Sequence, residues 1–380
     1  MKTLYVAGTF DDGFGRPSRY ASQLYAALAQ CGAFGADWPN EETVVSNGGN
    51  YSDLANLVDR APEFQIIYWF ADMSNDYPKL LSQIKKSNPH ALLISSKNNR
   101  GDYAPLHLMA RALQSRSNLL LEFTREDSRS KWAATLWDPL GNIYTDHVTD
   151  ITAVAQALAQ RVEQLSAVQR IGSRQMGAAI AAPDQSDFFA AVRQQAERFH
   201  SLVHAVNQGR LLGNVSFRCE HGFPSFRVAG AKPLIFVSRR NLDKREIDAA
   251  GFVAVEADSL DEVRYYGDHK PSVDTPMQLR LYRDLPEVNF MLHGHTYIEG
   301  APFTASVLPC GAVEESCEVH KAISSVVLST GDGRYLVNLR GHGSLVMGNG
   351  LSAFDAVPYV AREFPEHQLA VKKETVAVGA

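Results

Sequence analysis

Cysteine is scarce in this chain: four in 380 residues, Cys31, Cys219, Cys310 and Cys317. They are too few and too scattered for a disulfide framework or a Cys-rich zinc site, which points to a reducing compartment and a cytoplasmic protein. Long apolar runs are lacking as well. Nothing approaches the ~18 residues a membrane-spanning helix needs, and the opening Met1–Gly8 has no apolar core or small-residue cleavage site of a signal peptide. There is no excess of positive charge: 37 Lys+Arg stand against 42 Asp+Glu, a net charge of −5. A chain with that balance has no general attraction to nucleic acid or anionic lipid, so neither is expected as a partner. Internal repeats and low-complexity tracts are also missing. What is present is an ordinary globular composition, 45% hydrophobic and 21% charged, over a length that fits about two domains.

Residues 1–168 alternate short apolar runs (3–7, 65–70, 91–95 and 118–123) with amphipathic stretches (20–30, 51–60, 77–86 and 106–115). That alternation predicts a flavodoxin- or Rossmann-like parallel sheet covered on both faces. Residues 131–147 read instead as a hairpin turning at Asp138-Pro-Leu-Gly-Asn, and a helix over 150–166 closes the domain. Residues 169–186 lose periodicity and gain Gly, Ala, Ser and Pro, which predicts a linker. From 187 to 380 a second α/β domain is expected. Its strands fall at 214–218, 225–228, 233–237, 252–255, 289–293, 323–329 and 335–339, its helices at 188–208, 242–249, 276–285 and 353–363.

The chemistry concentrates in Lys270-Pro-Ser-Val-Asp-Thr-Pro, in Met291-Leu-His-Gly-His, and in Arg340-Gly-His-Gly. His293 and His295 are two apart at the end of an apolar strand, so both point to one face. Two imidazoles on one face can share a metal ion. His342 stands between Gly341 and Gly343, which let the backbone pass close to such a site. Three neutral imidazoles leave an open coordination position, as in catalytic zinc sites. Asp274 lies nineteen residues upstream of His293, ahead of an amphipathic helix.

Residues 187–370 resemble the class II aldolase/adducin family through Gly213-Asn-Val-Ser-Phe-Arg, Phe236-Val-Ser-Arg, Lys270-Pro-Ser-Val-Asp-Thr-Pro, His293-Gly-His and Gly341-His-Gly-Ser-Leu-Val-Met-Gly, in the family's order and spacing. The resemblance implies an α/β/α fold with a largely antiparallel central sheet, assembled as a homo-oligomer, usually a cyclic tetramer. It implies a divalent cofactor, Zn2+ or a similar ion, on His293, His295 and His342. It makes Asp274 a base or fourth ligand, and makes Gly213, Asn214, Ser216, Ser238 and Ser272 the cradle of a substrate phosphate. The substrate is then a small phosphorylated or nucleotide-linked sugar.

Zinc chelated by the oxygens of a ketose stabilises an enediolate. Cleavage beside that carbonyl is a retro-aldol reaction, and recombination on the opposite aldehyde face is 4-epimerisation. Aspartate at 274, where the aldolases more usually carry glutamate, leans toward the epimerase branch. The absence of an acid before Pro309-Cys310, and of a tyrosine in the tail 375–380, leans away from it, with Tyr297 left as a substitute acid. A non-catalytic adducin-like module is the third reading. Arg239 and Arg240, where sugar-phosphate members usually have glycine after the serine, either favour a larger anion or are merely exposed.

Other features have plainer readings. The loop 11–18 follows the first strand, where open α/β sheets bind ligands, but its glycines do not make a dinucleotide fingerprint. Tyr5-Val-Ala-Gly-Thr-Phe resembles the start of nucleoside deoxyribosyltransferases, whose nucleophilic glutamate has only Asp102 as a counterpart. Glycosyl transfer, nucleotide or sugar binding, and a structural role all stay open for the first half. His221 and His269 read as loop residues. Cys310 and Cys317 with His320 are too loosely spaced for a metal motif, and Glu314, Glu315 and Glu318 read as a solvated face.

Overall fold

The computed structural model describes residues 2–6, 19–34, 43–46, 59–70, 77–99, 108, 112, 115–125, 131–169, 171–202, 213–218, 233–325 and 334–362. The chain divides into two compact units, Met1–Ala167 and Val168–Glu363.

In the first unit the elements run β1 (Thr3–Val6), α1 (Arg19–Gln30), β2 (Thr43–Ser46), β3 (Ile66–Trp69), α2 (Tyr77–Ser87), β4 (Leu92–Asn99), β5 (Leu119–Thr124), β6 (Ala133–Trp137), β7 (Ile143–Val148) and α3 (Ile151–Ala167). They build one sheet in the order β2-β1-β3-β4-β5-β6-β7. The first five strands are parallel and the last two pairings antiparallel. This is the expected flavodoxin-like order with a hairpin added at one edge.

Strand alternation explains the layering. Leu4, Val6, Ile67, Trp69 and Leu93 pack with Leu81 and Ile84 of α2. Tyr5, Tyr68, Ile94, Leu121 and Phe123 pack on the opposite side with Leu24 and Leu28 of α1 and Leu158 and Val162 of α3. The hairpin turns where expected, with Asp138 accepting the Leu140 and Asn142 amides at 2.8 and 3.0 Å.

The second unit runs β8 (Gly172–Gly177), α4 (Ser186–Leu202), β9 (Asn214–Arg218), β10 (Leu234–Ser238), β11 (Phe252–Glu256), β12 (Glu262–Tyr266), α5 (Thr275–Asp284), β13 (Phe290–Gly294), β14 (Tyr297–Ile298), α6 (Glu314–Ser325), β15 (Arg334–Leu339), β16 (Gly343–Gly348) and β17 (Tyr359–Val360). Its main sheet has the order β15-β16-β13-β9-β10-β11-β12-β8 and is antiparallel except for the β12–β8 edge pair. One face carries Phe217, Phe236, Phe290 and Val346 against Phe188, Phe189 and Val192 of α4. The other carries Val237, Met291, Val337 and Leu345 against Met277 and Leu281 of α5 and Val319 and Ala322 of α6. The three-layer α/β/α arrangement is the one the sequence implies.

Four local expectations differ, one of them the helix expected at 353–363, where the chain makes a 3-10 turn, Leu351–Phe354, and then β17. Residues 172–177, expected within a linker, form the edge strand β8; its side chains are all exposed, so backbone pairing and the polar contacts Arg174–Glu262 and Gln175–Asp268 hold it and no apolar pattern marks it. Residues 242–249 make two short 3-10 turns, Lys244–Glu246 and Ala249–Gly251, each started by an aspartate accepting from the backbone, in place of one helix. Ile323 lies in the last turn of α6 and not in a strand. The strand expected at 225–228, the helix at 51–60 for all but its last two residues and most of that at 106–115, the loop 11–18, Asp102, Cys219, His221 and the tail 375–380 lie outside the described residues. No helix among those described is long and apolar enough to cross a membrane.

Candidate metal centre

The sheet brings the three histidines together. His293 ends β13 on the side that faces α5 and α6, flanked in register by Asn214 of β9 and Leu345 of β16. His295 follows two residues later, and His342 sits in the tight connection between β15 and β16. The ring centroids lie 5.0 Å (His293–His295), 4.5 Å (His293–His342) and 5.1 Å (His295–His342) apart. One ligand nitrogen from each falls within 4.8 Å of the others.

Two glycines make this convergence possible. A Cβ on Gly343 would lie 2.0 Å from the Gly294 carbonyl oxygen, and one on Gly213, which has φ +89°, would lie 2.5 Å from that of His293.

Electrostatics prepare these rings differently. Burial, with His342 nearby, pushes His293 down to about 4, so it is neutral at physiological pH. His295 is held well below its ordinary value by burial and the two neighbouring rings. Burial acts on His342 in the same direction, but Cys310 and Glu315 outweigh it and the net direction is upward. His293 Nδ1 bonds the Ser344 carbonyl oxygen at 2.9 Å, which leaves Nε2 as the acceptor nitrogen, and that buried atom has no partner in the protein.

Asp274 is 4% exposed at the N-cap of α5, yet its side chain does not cap the helix. An N-cap aspartate normally satisfies a free amide, to the benefit of the helix by ~1 kcal/mol. Here Oδ2 accepts from Asn214 Nδ2 at 2.7 Å, Gln278 donates in turn to Asn214 Oδ1, and Oδ1 is left buried without a partner. A ligand oxygen of Asp274 lies within 4.8 Å of ligand atoms of both Cys310 and His342.

The expected phosphate cradle separates into two parts. Gly213 and Asn214 border the histidines, and Ser272 lies at the start of the Asp274 turn, with its amide on the Ser238 carbonyl oxygen at 3.1 Å. Ser238 Oγ accepts the Val215 amide at 3.1 Å and so ties β10 to β9. Ser216 is fully buried and shares a 3.0 Å hydrogen bond with the Tyr282 hydroxyl, so it locks α5 to the sheet instead of facing a ligand. Tyr297 is committed too, accepting the Gly341 amide at 3.0 Å. Arg240 spends its Nε on the Pro271 carbonyl oxygen at 2.9 Å.

Three residues join the site that the sequence reading did not assign to it. Cys310 Sγ is 3.2 Å from His342 Nε2, and Glu315, buried and not solvated, lies 3.4 Å from His342 Nδ1. Burial pushes Glu315 up. Lys244 is 7% exposed; burial lowers it to about 8, against the opposing pull of Asp243 and Asp274. No spacing rule links these residues to the histidines; only the tertiary fold does.

Residues 193–361 match the family model described as Class II Aldolase and Adducin N-terminal domain. Over those residues the chain is similar to a class II aldolase/adducin domain. Similar solved structures include an L-fuculose 1-phosphate aldolase, at 17% identity, covering 50% of this chain and 97% of that one, with a TM-score of 0.31. An aldolase II superfamily protein from Pseudomonas syringae shows 12% identity, 50% and 72% coverage and a TM-score of 0.29. A DNA/pantothenate metabolism flavoprotein from Streptococcus pneumoniae shows 16% identity, 43% and 98% coverage and a TM-score of 0.32. No match was found among the curated proteins.

Proposed function

We propose that the aldolase/adducin domain is a divalent-metal-dependent aldolase that cleaves a carbon–carbon bond beside the carbonyl of a phosphorylated or nucleotide-linked sugar. The observation that carries this reading is a pair of buried polar atoms, His293 Nε2 and Asp274 Oδ1, each without a protein partner and each grouped with His342. Leaving such atoms unpaired costs roughly 1–3 kcal/mol apiece, a cost that a bound cation and substrate would remove. His293, His295 and His342 would hold the ion, and three imidazole nitrogens suit zinc. When bound, the ion supplies Lewis-acid polarisation of a carbonyl oxygen.

The chain's own residues would do the rest. Asn214, itself held by Gln278, fixes Asp274 Oδ2, so the carboxylate offers one oriented lone pair at Oδ1. Asp274 takes the proton of the substrate hydroxyl as the neighbouring carbon–carbon bond breaks and its electron pair moves toward the carbonyl. The backbone at Gly213 and the Ser272 hydroxyl, which also accepts the Asp274 amide, would receive a phosphate, while Ser216 and Ser238 hold the frame. In a protein of net charge −5 the attraction for an anionic substrate must be local, from the cation and Lys244.

Metal analysis of purified wild type and His293→Ala tests the reading: about one ion per chain is expected in wild type and a large loss in the variant. Wild type that stays metal-free under replete conditions overturns it in favour of a non-catalytic adducin-like module. Ketose phosphates followed by NMR then define the reaction. Aspartate at 274 favours 4-epimerisation as the second reading, and an inverted C4 without fragments selects it.

A further inference from the structure

We propose that Cys310 is a fourth ligand, a thiolate, of the metal held by His293, His295 and His342. This rests on the metal reading above and deepens it. Cys310 Sγ lies 3.2 Å from His342 Nε2. Two ligands of one tetrahedral zinc ion, bound at about 2.0 Å through nitrogen and 2.3 Å through sulfur, stand about 3.5 Å apart. The observed separation is therefore close to the bite of a shared ion.

The two donor groups the fold assembles, His293/His295/His342 and Asp274/Cys310/His342, meet at His342. Two of their members, His293 and Asp274, are more than nine-tenths buried and keep a ligand atom unpartnered. Glu315 approaches His342 from its Nδ1 side, which leaves Nε2, the nitrogen facing Cys310, for the ion.

Backbone packing holds Cys310 there. The turn Pro309–Ala312 is closed by the Ala312 amide on the Pro309 carbonyl oxygen at 3.1 Å. Gly311 has φ +82°, and a Cβ on it would sit 2.7 Å from the carbonyl oxygen of Val273, the residue before Asp274. The turn thus presses its glycine against the Asp274 loop and delivers the neighbouring thiol to His342. On binding, the thiol proton leaves to solvent. Two consequences follow. A soft sulfur donor shifts the site toward zinc, cobalt or iron and away from magnesium, calcium or manganese. With Cys310 as the fourth ligand, Asp274 keeps its lone pair for proton transfer.

The test uses the full chain loaded with zinc or cobalt, with Cys317, exposed on α6, as the internal control. X-ray absorption of the zinc protein is expected to show one sulfur at about 2.3 Å in wild type and only nitrogen or oxygen neighbours in Cys310→Ser. The cobalt protein should show a thiolate-to-metal charge-transfer band that Cys310→Ser loses and Cys317→Ser keeps. Zinc should slow iodoacetamide labelling of Cys310 in wild type and leave Cys317 unchanged. Wild type that binds one ion with no sulfur neighbour, and labels equally at Cys310 with and without zinc, overturns the thiolate ligand and leaves the three-histidine site standing. Wild type that binds no ion overturns both. The wild-type spectra decide the matter even if Cys310→Ser fails to fold.

Discussion

Glu122 in the first unit and Asp274 in the second are carboxylates buried to almost the same degree, 5% and 4% exposed, and they are treated in opposite ways. Glu122 on β5 uses both oxygens: Oε1 accepts from Asn99 at 2.6 Å and Oε2 from the Trp137 indole at 2.8 Å. Nearby, Ser117 bonds Ser95 at 2.7 Å and Ser115 at 2.8 Å. These groups consume one another and bind β4, β5 and β6 into one frame. Asp274 is held by one oxygen and leaves the other without a protein partner, as His293 leaves its Nε2. Burial alone therefore does not separate the two acids; the buried oxygen of Asp274 without a partner does.

Exchanging each acid for its amide is the strongest way to break that contrast. Asp274→Asn is expected to lower turnover of the sugar substrate by about 10²–10⁴-fold, the usual worth of a general acid or base, while the fold survives because Asn214 can still bond the remaining oxygen. Glu122→Gln should leave turnover and metal content unchanged. It removes charge-assisted bonds and turns one acceptor into a donor facing a donor, so the first unit loses about 1–3 kcal/mol. Steady-state kinetics, metal analysis and hydrogen exchange read peptide by peptide separate the two effects. Equal loss of turnover from both variants would erase the distinction.

The legible parts of the molecule were those written in local periodicity. The apolar runs of β1, β3, β5 and β13 are visible because both faces of a central strand are buried. The pair His293/His295 is visible because alternate strand residues share a face. Less visible were the short edge strand β2, the polar edge strand β8, and β12 beside it, which buries only Val263 and Tyr265 of its five residues. The partners of His342 were hidden for another reason. Glu315 sits among Glu314 and Glu318 in a stretch that reads as a wet helix face, and only the packing of α6 on the sheet buries it. Cys310 arrives through a turn whose position depends on Gly311 meeting Val273. Ser216 shows the converse: its motif is plain in the sequence, but its hydroxyl is spent on Tyr282.

Lys85 and Lys244 extend the comparison to buried cations, 8% and 7% exposed. Lys85 donates to the Ala91 carbonyl oxygen at 2.5 Å and to the Pro89 carbonyl oxygen and Asn118 Oδ1 at 3.3 Å, a closed arrangement like that of Glu122. Lys244 is instead lowered by burial from 10.5 to about 8. Between those two values the unfolded chain keeps the proton and the folded chain has lost it, so stability gains with rising pH. The gain from this group is on the order of 3 kcal/mol between pH 8 and 10.5. Lys244→Met should lack it, so the wild-type-minus-variant difference in denaturation midpoint should climb across that window. A flat difference would mean that burial does not displace the Lys244 proton.

The smallest expected effect separates two glycines of similar backbone. Gly32 has φ +75° with open space where a Cβ would go, whereas Gly213, at φ +89°, would drive a Cβ to 2.5 Å from the His293 carbonyl oxygen. Alanine at either position meets the left-handed penalty of roughly 1–2 kcal/mol. For Gly32→Ala that penalty is the whole cost, and it should be confined to exchange in the first unit with metal affinity untouched. Gly213→Ala adds a backbone collision that only a shift of β13 relieves. Because β13 carries His293, the shift would move its proposed ligand nitrogen, so the variant should lose metal affinity as well as stability. A Gly213→Ala protein that binds metal as tightly as wild type would mean the glycine serves only the chain's path, and that the open character of this site does not depend on how closely β9 approaches β13.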